Sequence, residues 1–193
     1  TGSYSIVATV EAPVALGDTC AQPKPLTPGT PLVGETTATL SPDYALAGTG
    51  CSTASAGPDA VYSVTVPAQQ RVDVTVTPST GFDTSISFVL TSPASCIARV
   101  CAASGNSSGS GTADLMNYFN GSAKADTLFV IVDSTSTVGS TFDISAALST
   151  PGLGEVCTNP IVLDGTTGTA VPGGFTYAET LIGSANDYFG TVA

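Results

Sequence analysis

The feature that most constrains this chain is that it repeats itself. Gly17-Asp18-Thr19-Cys20-Ala21-Gln22-Pro23 returns as Gly154-Glu155-Val156-Cys157-Thr158-Asn159-Pro160 at a shift of 137, and Leu26 falls on Leu163. The apolar run before the motif returns as well. Tyr4, Ile6, Ala8 and Val10 correspond to Phe142, Ile144, Ala146 and Leu148 at a shift of 138, with Pro13 answering Pro151. Farther along, Asp43-Tyr44 matches Asp187-Tyr188 at a shift of 144, so the second copy carries about seven extra residues near 165–174. Strand, linker and cysteine motif recurring together predict a tandem array of one folding unit. Residues 1–13 then read as the last strand of a preceding repeat, 17–150 as a complete repeat, and 154–193 as the first part of a following one.

Within the complete unit the apolar residues alternate, the signature of half-buried strands. Tyr62, Val64 and Val66 share one face, with Val61, Ser63 and Thr65 on the other. Val72, Val74 and Val76 point inward while Arg71, Asp73 and Thr75 face water, and Ile86, Phe88 and Leu90 make a third inward face. Pro67-Ala68-Gln69-Gln70 has the composition of a hairpin connection between the first two runs. Leu128-Phe129-Val130-Ile131-Val132 is apolar on both sides, as in a strand at the middle of a packed sheet. Phe142, Ile144, Ala146 and Leu148 close the unit, and shorter strands are expected near residues 37–40 and 115–119. About eight strands in roughly 135 residues, without a convincing helix, predict an all-β, jelly-roll-like two-layer β-sandwich in tandem repeats.

Composition narrows what such an array can do. Only 10% of residues are charged and the mean hydropathy is +0.32, which excludes a disordered tail. No run approaches the roughly 20 uninterrupted apolar residues of a membrane span. Lys24, Arg71, Arg99 and Lys124 are the only basic side chains against fifteen carboxylates, so a phosphate backbone would be repelled and nucleic acid is not an expected partner. No export signal is visible, and any such signal is expected upstream or already removed.

Five cysteines in a chain with no His and no Trp point to an oxidising, extracellular compartment. Cys96 and Cys101, five apart, suit a staple across a tight loop. A bridge between Cys20 and Cys51 would contribute about 3 to 4 kcal/mol on the loop-entropy account. Cys157 is left over. A shift of 144 puts the equivalent of Cys51 at position 195, which would place the partner of Cys157 outside the chain. Tetrahedral zinc is the rival reading, but it draws on His or on two close Cys pairs, and only one pair is close.

Motifs for catalysis are poor. Gly105-Asn106-Ser107-Ser108-Gly109 fits the G-x-S-x-G pattern, yet that elbow needs a strand-to-helix turn and a His to take the proton. There is no phosphate-binding loop, no dinucleotide fingerprint and no Cys/His couple. Asp73, Asp83, Asp126, Asp133 and Asp143 lie at outward positions or strand ends, where a solvated surface is the ordinary outcome and no pair stands out for glycoside hydrolysis. No catalytic residue and no cofactor are expected, with one reservation for Ca²⁺. Gly57-Pro58-Asp59 places a carboxylate at a tight turn, where it either caps backbone N–H groups or, with Asp18 and Asp43 from nearby loops, joins an oxygen cage for the cation. Asn106-Ser107-Ser108 and Asn120-Gly121-Ser122 match the glycosylation sequon.

The order Gly-Asp-x-Cys-x-x-Pro, then Gly57-Pro58-Asp59-x-Val61-Tyr62-Ser63-Val64, then Phe82-Asp83-Thr84 and a late apolar strand resembles repeats of large exported bacterial proteins, of the pre-peptidase C-terminal type of β-sandwich. That resemblance implies an exported, jelly-roll-like module with non-catalytic work in adhesion, matrix contact or spacing, and sometimes Ca²⁺ in its loops. On this chain only Asp59 matches such a cation position.

Two functional expectations follow. In the first, sandwich repeats stack head to tail in a structural or adhesive fibre at the bacterial cell surface. The strand bearing Tyr4, Ile6, Ala8 and Val10 then pairs with a neighbouring repeat or an identical subunit. Short Pro linkers at Pro13 and Pro151 would make the array semi-rigid. In the second, the unit is a non-catalytic matrix- or polysaccharide-binding module attached to a secreted hydrolase, with Tyr44, Tyr118, Phe119 and Tyr177 as the candidate contact residues.

Overall fold

The computed structural model describes residues 2–8, 13–44, 51, 57–90, 100–106, 108–157, 160, 169–171 and 174–176. Its regular elements are all strands: β1 (Lys24–Pro25), β2 (Leu32–Thr36), β3 (Ala60–Val66), β4 (Arg71–Pro78), β5 (Ser85–Leu90), β6 (Val100–Gly105), β7 (Asp114–Phe119), β8 (Asp126–Asp133), β9 (Thr141–Ser149), β10 (Thr169–Val171) and β11 (Gly174–Thr176). No helix among the described residues is long and apolar enough to cross a membrane.

The first nine strands make two sheets, one of order β1-β3-β8-β5-β6 and one of order β2-β9-β4-β7. All pairings in them are antiparallel except β1 with β3. The sheets face each other across one core. Tyr62, Val64, Val66, Phe88, Val130 and Val132 come from the first sheet, and Val72, Val74, Val76, Phe142 and Ile144 from the second. Tyr62 meets Phe142 edge-to-face across the layers, with ring centroids 6.3 Å apart. The expected two-layer, all-β sandwich is what the chain forms.

The long apolar run sits where its two-sided hydrophobicity requires, as β8 in the centre of the five-stranded sheet. Its outward residues are also covered. Val61, Val89 and Ile131 form a second cluster on the outer face, beneath Cys20, Tyr44 and Cys51. A segment lying over that face replaces water, so the alternation in β3, β5 and β8 gives way to burial on both sides.

Two local expectations are corrected. Pro67-Ala68-Gln69-Gln70 does not close a hairpin, because β3 and β4 lie in different sheets and the connection is a corner between layers. Alternation marks an inward face but does not distinguish a neighbour in the same sheet from one in the opposite layer. Gln69 turns this corner at φ 57°, with its N–H bonded to Asn120 O at 2.8 Å. The short strand expected near 37–40 is instead β2, and Leu40 N closes a turn on Thr37 O. Gly34, at φ 69°, carries a bulge between Leu32 and Glu35, and its N–H is bonded to Asp143 Oδ1 at 2.8 Å. Strand β6, built from small residues, had no alternation to reveal it. Only one connection between β1 and β9, from β5 to β6, stays within a sheet.

Candidate functional site

The sandwich has two ends. At one, the Val66 end of β3 and the Arg71 start of β4 meet the last residues of β7 and β9, since Arg71 is opposite Phe119 and Ser149. At the other, Ala60 pairs with Val132, and one step beyond them lie Asp59 and Asp133.

Asp59 is fully buried and Asp133 is 4% exposed. Asp133 was expected among the solvated carboxylates, and its burial corrects that reading. The strand end is roofed by the 57–59 and 134–136 segments, which pack so closely that a Cβ on Gly57 would come 2.3 Å from Ser136 O. Asp59 Oδ2 accepts from Tyr44 N at 2.7 Å, so the turn is capped as a carboxylate there can do. Asp59 also shares a side-chain hydrogen bond with Asp133. Two carboxylates can share such a bond only if one holds a proton. Burial first, then the bond and the charge of Asp133, push Asp59 up to about 9.

The three carboxylates considered for Ca²⁺ are not gathered around one point. Asp18 Oδ1 accepts from Ser41 N at 2.6 Å, Asp43 is exposed, and Asp59 is committed to Tyr44 and Asp133. Among the described residues no group of three or more His, Cys, Asp or Glu could hold a metal ion.

The disulfide framework differs from the one suggested by spacing. Cys51 is bonded to Cys101, with Cα atoms 5.5 Å apart and a sequence separation of 50. The bridges Cys20–Cys51 and Cys96–Cys101 are thereby excluded. Cys101 lies on β6 opposite Val89, at the edge of the outer-face cluster, and Cys51 is buried in the same cluster. Proximity across that face, not along the chain, selects the pair. Cys20 is buried in the same cluster, and its N–H is bonded to the Tyr44 hydroxyl at 2.7 Å. Cys96 lies outside the described residues. The extrapolated partner for Cys157 at position 195 rested on a Cys20–Cys51 bridge and loses that footing.

At the open edge of the sandwich, between β1 and β2, is a cleft of about 250 Å³ bordered by Leu16, Lys24, Glu35, Leu40 and Tyr62. Lys24 Nζ contacts both Glu35 oxygens at 2.6 and 2.7 Å, and the Tyr62 hydroxyl donates to Glu35 Oε2 at 2.9 Å. Burial, then Glu35, raises the Tyr62 pKa. This triad links one sheet to the other and holds the edge shut.

The aromatic residues considered for a polymer-binding face do not line up. Tyr44 is 4% exposed, Tyr118 is half-buried and bonded to Asp126, Phe119 is half-buried, and Tyr177 lies outside the described residues. Of the sequons, Asn120 is fully buried, its amide Nδ2 donating to Val66 O, Pro67 O and Lys124 O.

The segment expected to be an assembly strand is uncovered. Residues 2–8 form no strand, and Tyr4, Ile6 and Val7 are 86%, 78% and 87% exposed. Ala8 is exposed too, and Val10 lies outside the described residues. Its sequence counterpart β9 is an interior strand between β2 and β4, with Phe142, Ile144 and Ala146 buried.

The repeated cysteine motif has the same backbone in both copies. Gly17 and Gly154 have φ of +85° and +81°, and the turns close through Asp18 N to Ala15 O at 3.1 Å and Glu155 N to Gly152 O at 3.2 Å. Sequence reasoning found the motif but not its seat. Glu155 accepts from Gly152 N at 2.7 Å through Oε2 and is ion-paired to Arg71 through Oε1, at the Arg71 end of the sandwich.

No protein-family model matches the chain, and no curated protein does. Among solved structures the chain is similar to the pre-peptidase C-terminal domain of collagenase from Bacillus anthracis, at 14% identity and a TM-score of 0.39, over 71% of this chain and 99% of that one.

Proposed function

We propose that residues 17–150 are one structural module of a tandem array in an exported bacterial surface protein or fibre, with consecutive β-sandwiches stacked head to tail. The observation that carries this reading is the recurrence, 137 residues apart, of one turn with the same positive-φ glycine and the same closing hydrogen bond. Recurrent sequence alone could reflect a shared turn preference. Recurrent sequence together with recurrent geometry, each time following a β9-type strand sequence, is what a repeated folding unit produces.

Other features agree with a passive module outside the cell. A disulfide spanning 50 residues suits an oxidising compartment. The chain has no His, and the buried acid Asp59 is taken up in capping a turn. The exposed apolar segment at residues 2–8 is the last strand of a preceding sandwich, supplied by the same polypeptide or by a neighbour. Among the described candidates for polymer binding, Tyr44 is buried and Tyr118 is bonded to Asp126, which favours the structural reading.

The test is the mass of the native polypeptide, reduced and fully denatured, from its source material. A chain far heavier than 19 kDa is the expected result. A native chain near 19 kDa overturns the continuous array and leaves pairing between separate subunits as the only way to cover residues 2–8.

A further inference from the structure

The two copies of the repeated turn are covered on opposite sides. In the first copy Gly17 and Cys20 are buried, while Val14 is 45% exposed and Thr19 is half-exposed. In the second copy the pattern inverts. Pro151, answered by the exposed Pro13, and Val156, the equivalent of Thr19, are buried, while Gly154 and Cys157, the equivalents of Gly17 and Cys20, are exposed.

The first turn packs forward, onto the sandwich that follows it. Gly17 N donates to Gln22 O at 2.8 Å, Val61 N donates to Gly17 O at 2.7 Å, and Asp18 holds Ser41 N. The second turn is tied backward, to the sandwich that precedes it, by the Glu155–Arg71 pair, whose side chains are only 11% and 14% exposed. One local structure thus has two faces, and each copy displays the contact that the other lacks.

We propose that this turn is a two-sided joint: its Gly and Cys face closes the sandwich it begins, and its opposite face, with the acidic residue after the glycine, seats on the Arg71 end of the sandwich before it. The uncovered part of the first copy, around the exposed Val14, is accordingly the surface that receives the arginine-bearing end of another sandwich of this kind. This rests on the tandem reading for the identity of that partner, but the joint itself is visible in one chain.

The joint also sets direction. The forward contact of the first turn is at Val61, near the Asp59 end of β3, whereas the backward contact of the second is at Arg71, beyond its other end. At about 3.3 Å per residue the seven residues of β3 separate these by roughly 20 Å along the strand. Successive sandwiches therefore follow one another along the strand axis, held at a fixed seat instead of on a loose tether.

Hydrogen exchange on the full 193-residue chain tests the seat. The amides of Gly152 and Val156 are expected to be protected relative to their equivalents Ala15 and Thr19. Arg71→Gln should speed exchange across residues 151–156 by about tenfold or more, leaving β8 unchanged, as loss of a charge-assisted bond requires. Glu155→Gln, which keeps the acceptor for Gly152 N but removes the charge facing Arg71, should speed exchange at Val156 as Arg71→Gln does. Equal exchange in the two turns of the parent chain, or no response to Arg71→Gln, would overturn the joint. The receiving face is tested in the polypeptide purified from source. If it is long, residues 14–19 should be as protected as 151–156, and their remaining exposed overturns that half. If it is near 19 kDa the tandem reading falls, while the Arg71 result still decides the joint.

Discussion

Asp59 and Asp133 sit side by side on neighbouring antiparallel strands, one step past the Ala60–Val132 pair, and are bonded to each other with almost no exposure to water. A carboxyl that keeps its proton in the fold makes stability depend on pH.

The direction is set by which state binds the proton. Unfolded, Asp59 ionises near 3.8, whereas in the fold it holds its proton up to about 9. Well below pH 3.8 both states are protonated and the contribution is fully present. As pH rises from about 4 to about 9 the unfolded chain binds fewer protons than the native one, and stability falls. Asp59→Asn keeps the acceptor for Tyr44 N and supplies a permanent donor to Asp133. It should flatten this slope, read as a smaller difference in urea midpoint between pH 5 and pH 8. A variant that keeps the parent slope would place the titration elsewhere.

Cys51–Cys101 closes a loop with 50 residues of separation. The chain-entropy account assigns such a loop about 4 kcal/mol. The double substitution of both cysteines by Ser should lower stability by about 2 to 4 kcal/mol and loosen the cover over Val61, Val89 and Ile131. Peptide mapping without reduction checks the connectivity, which should join the peptides containing residues 51 and 101.

Asn120 ties two loops at the Arg71 end through three donated bonds and accepts from Ser122 N at 3.0 Å. Asn120→Ala leaves buried carbonyls without their donor and should cost about 2 to 4 kcal/mol in denaturant unfolding. Asn120→Asp keeps the acceptor, loses the donors and adds charge, and should be at least as damaging. Because this amide is buried, occupancy of its sequon by a glycan in the folded protein is not expected.

Residues 2–8 contribute no strand to the sandwich and expose their apolar side chains. Deleting residues 1–10 should change the unfolding free energy of the module by no more than about 0.5 kcal/mol, as for other unpacked surface changes. Self-association, measured by analytical ultracentrifugation, should fall. A large loss of stability would mean that the segment belongs to this sandwich.

Strands β3, β4, β5 and β8 were legible because each carries a strong apolar pattern. Tyr62-Val64-Val66 and Val72-Val74-Val76 name their inward faces, and the two-sided run of β8 names its central place. β2 and β6 were not legible, one broken by Gly34 and the other made of small residues, since neither pattern differs from that of a loop. The burial of Asp133 was missed because a carboxylate at a strand end is solvated unless other segments roof it, and the roof comes from residues distant in sequence.

By itself the sequence determined the all-β class, the inward face of most strands, the repeated turn and the absence of any His-dependent chemistry. These depend on local periodicity, on glycine at a position needing positive φ, and on residue inventory, all of which act within a few residues or on the whole list. Tertiary structure alone decided which strands pair and which face each other, that Cys51 takes Cys101, that Asp59 shares its proton with Asp133, and that Glu155 reaches Arg71. Each of those is a contact between segments far apart in the chain, selected by which surfaces meet when the two sheets close on their core, and spacing along a chain carries no record of that meeting.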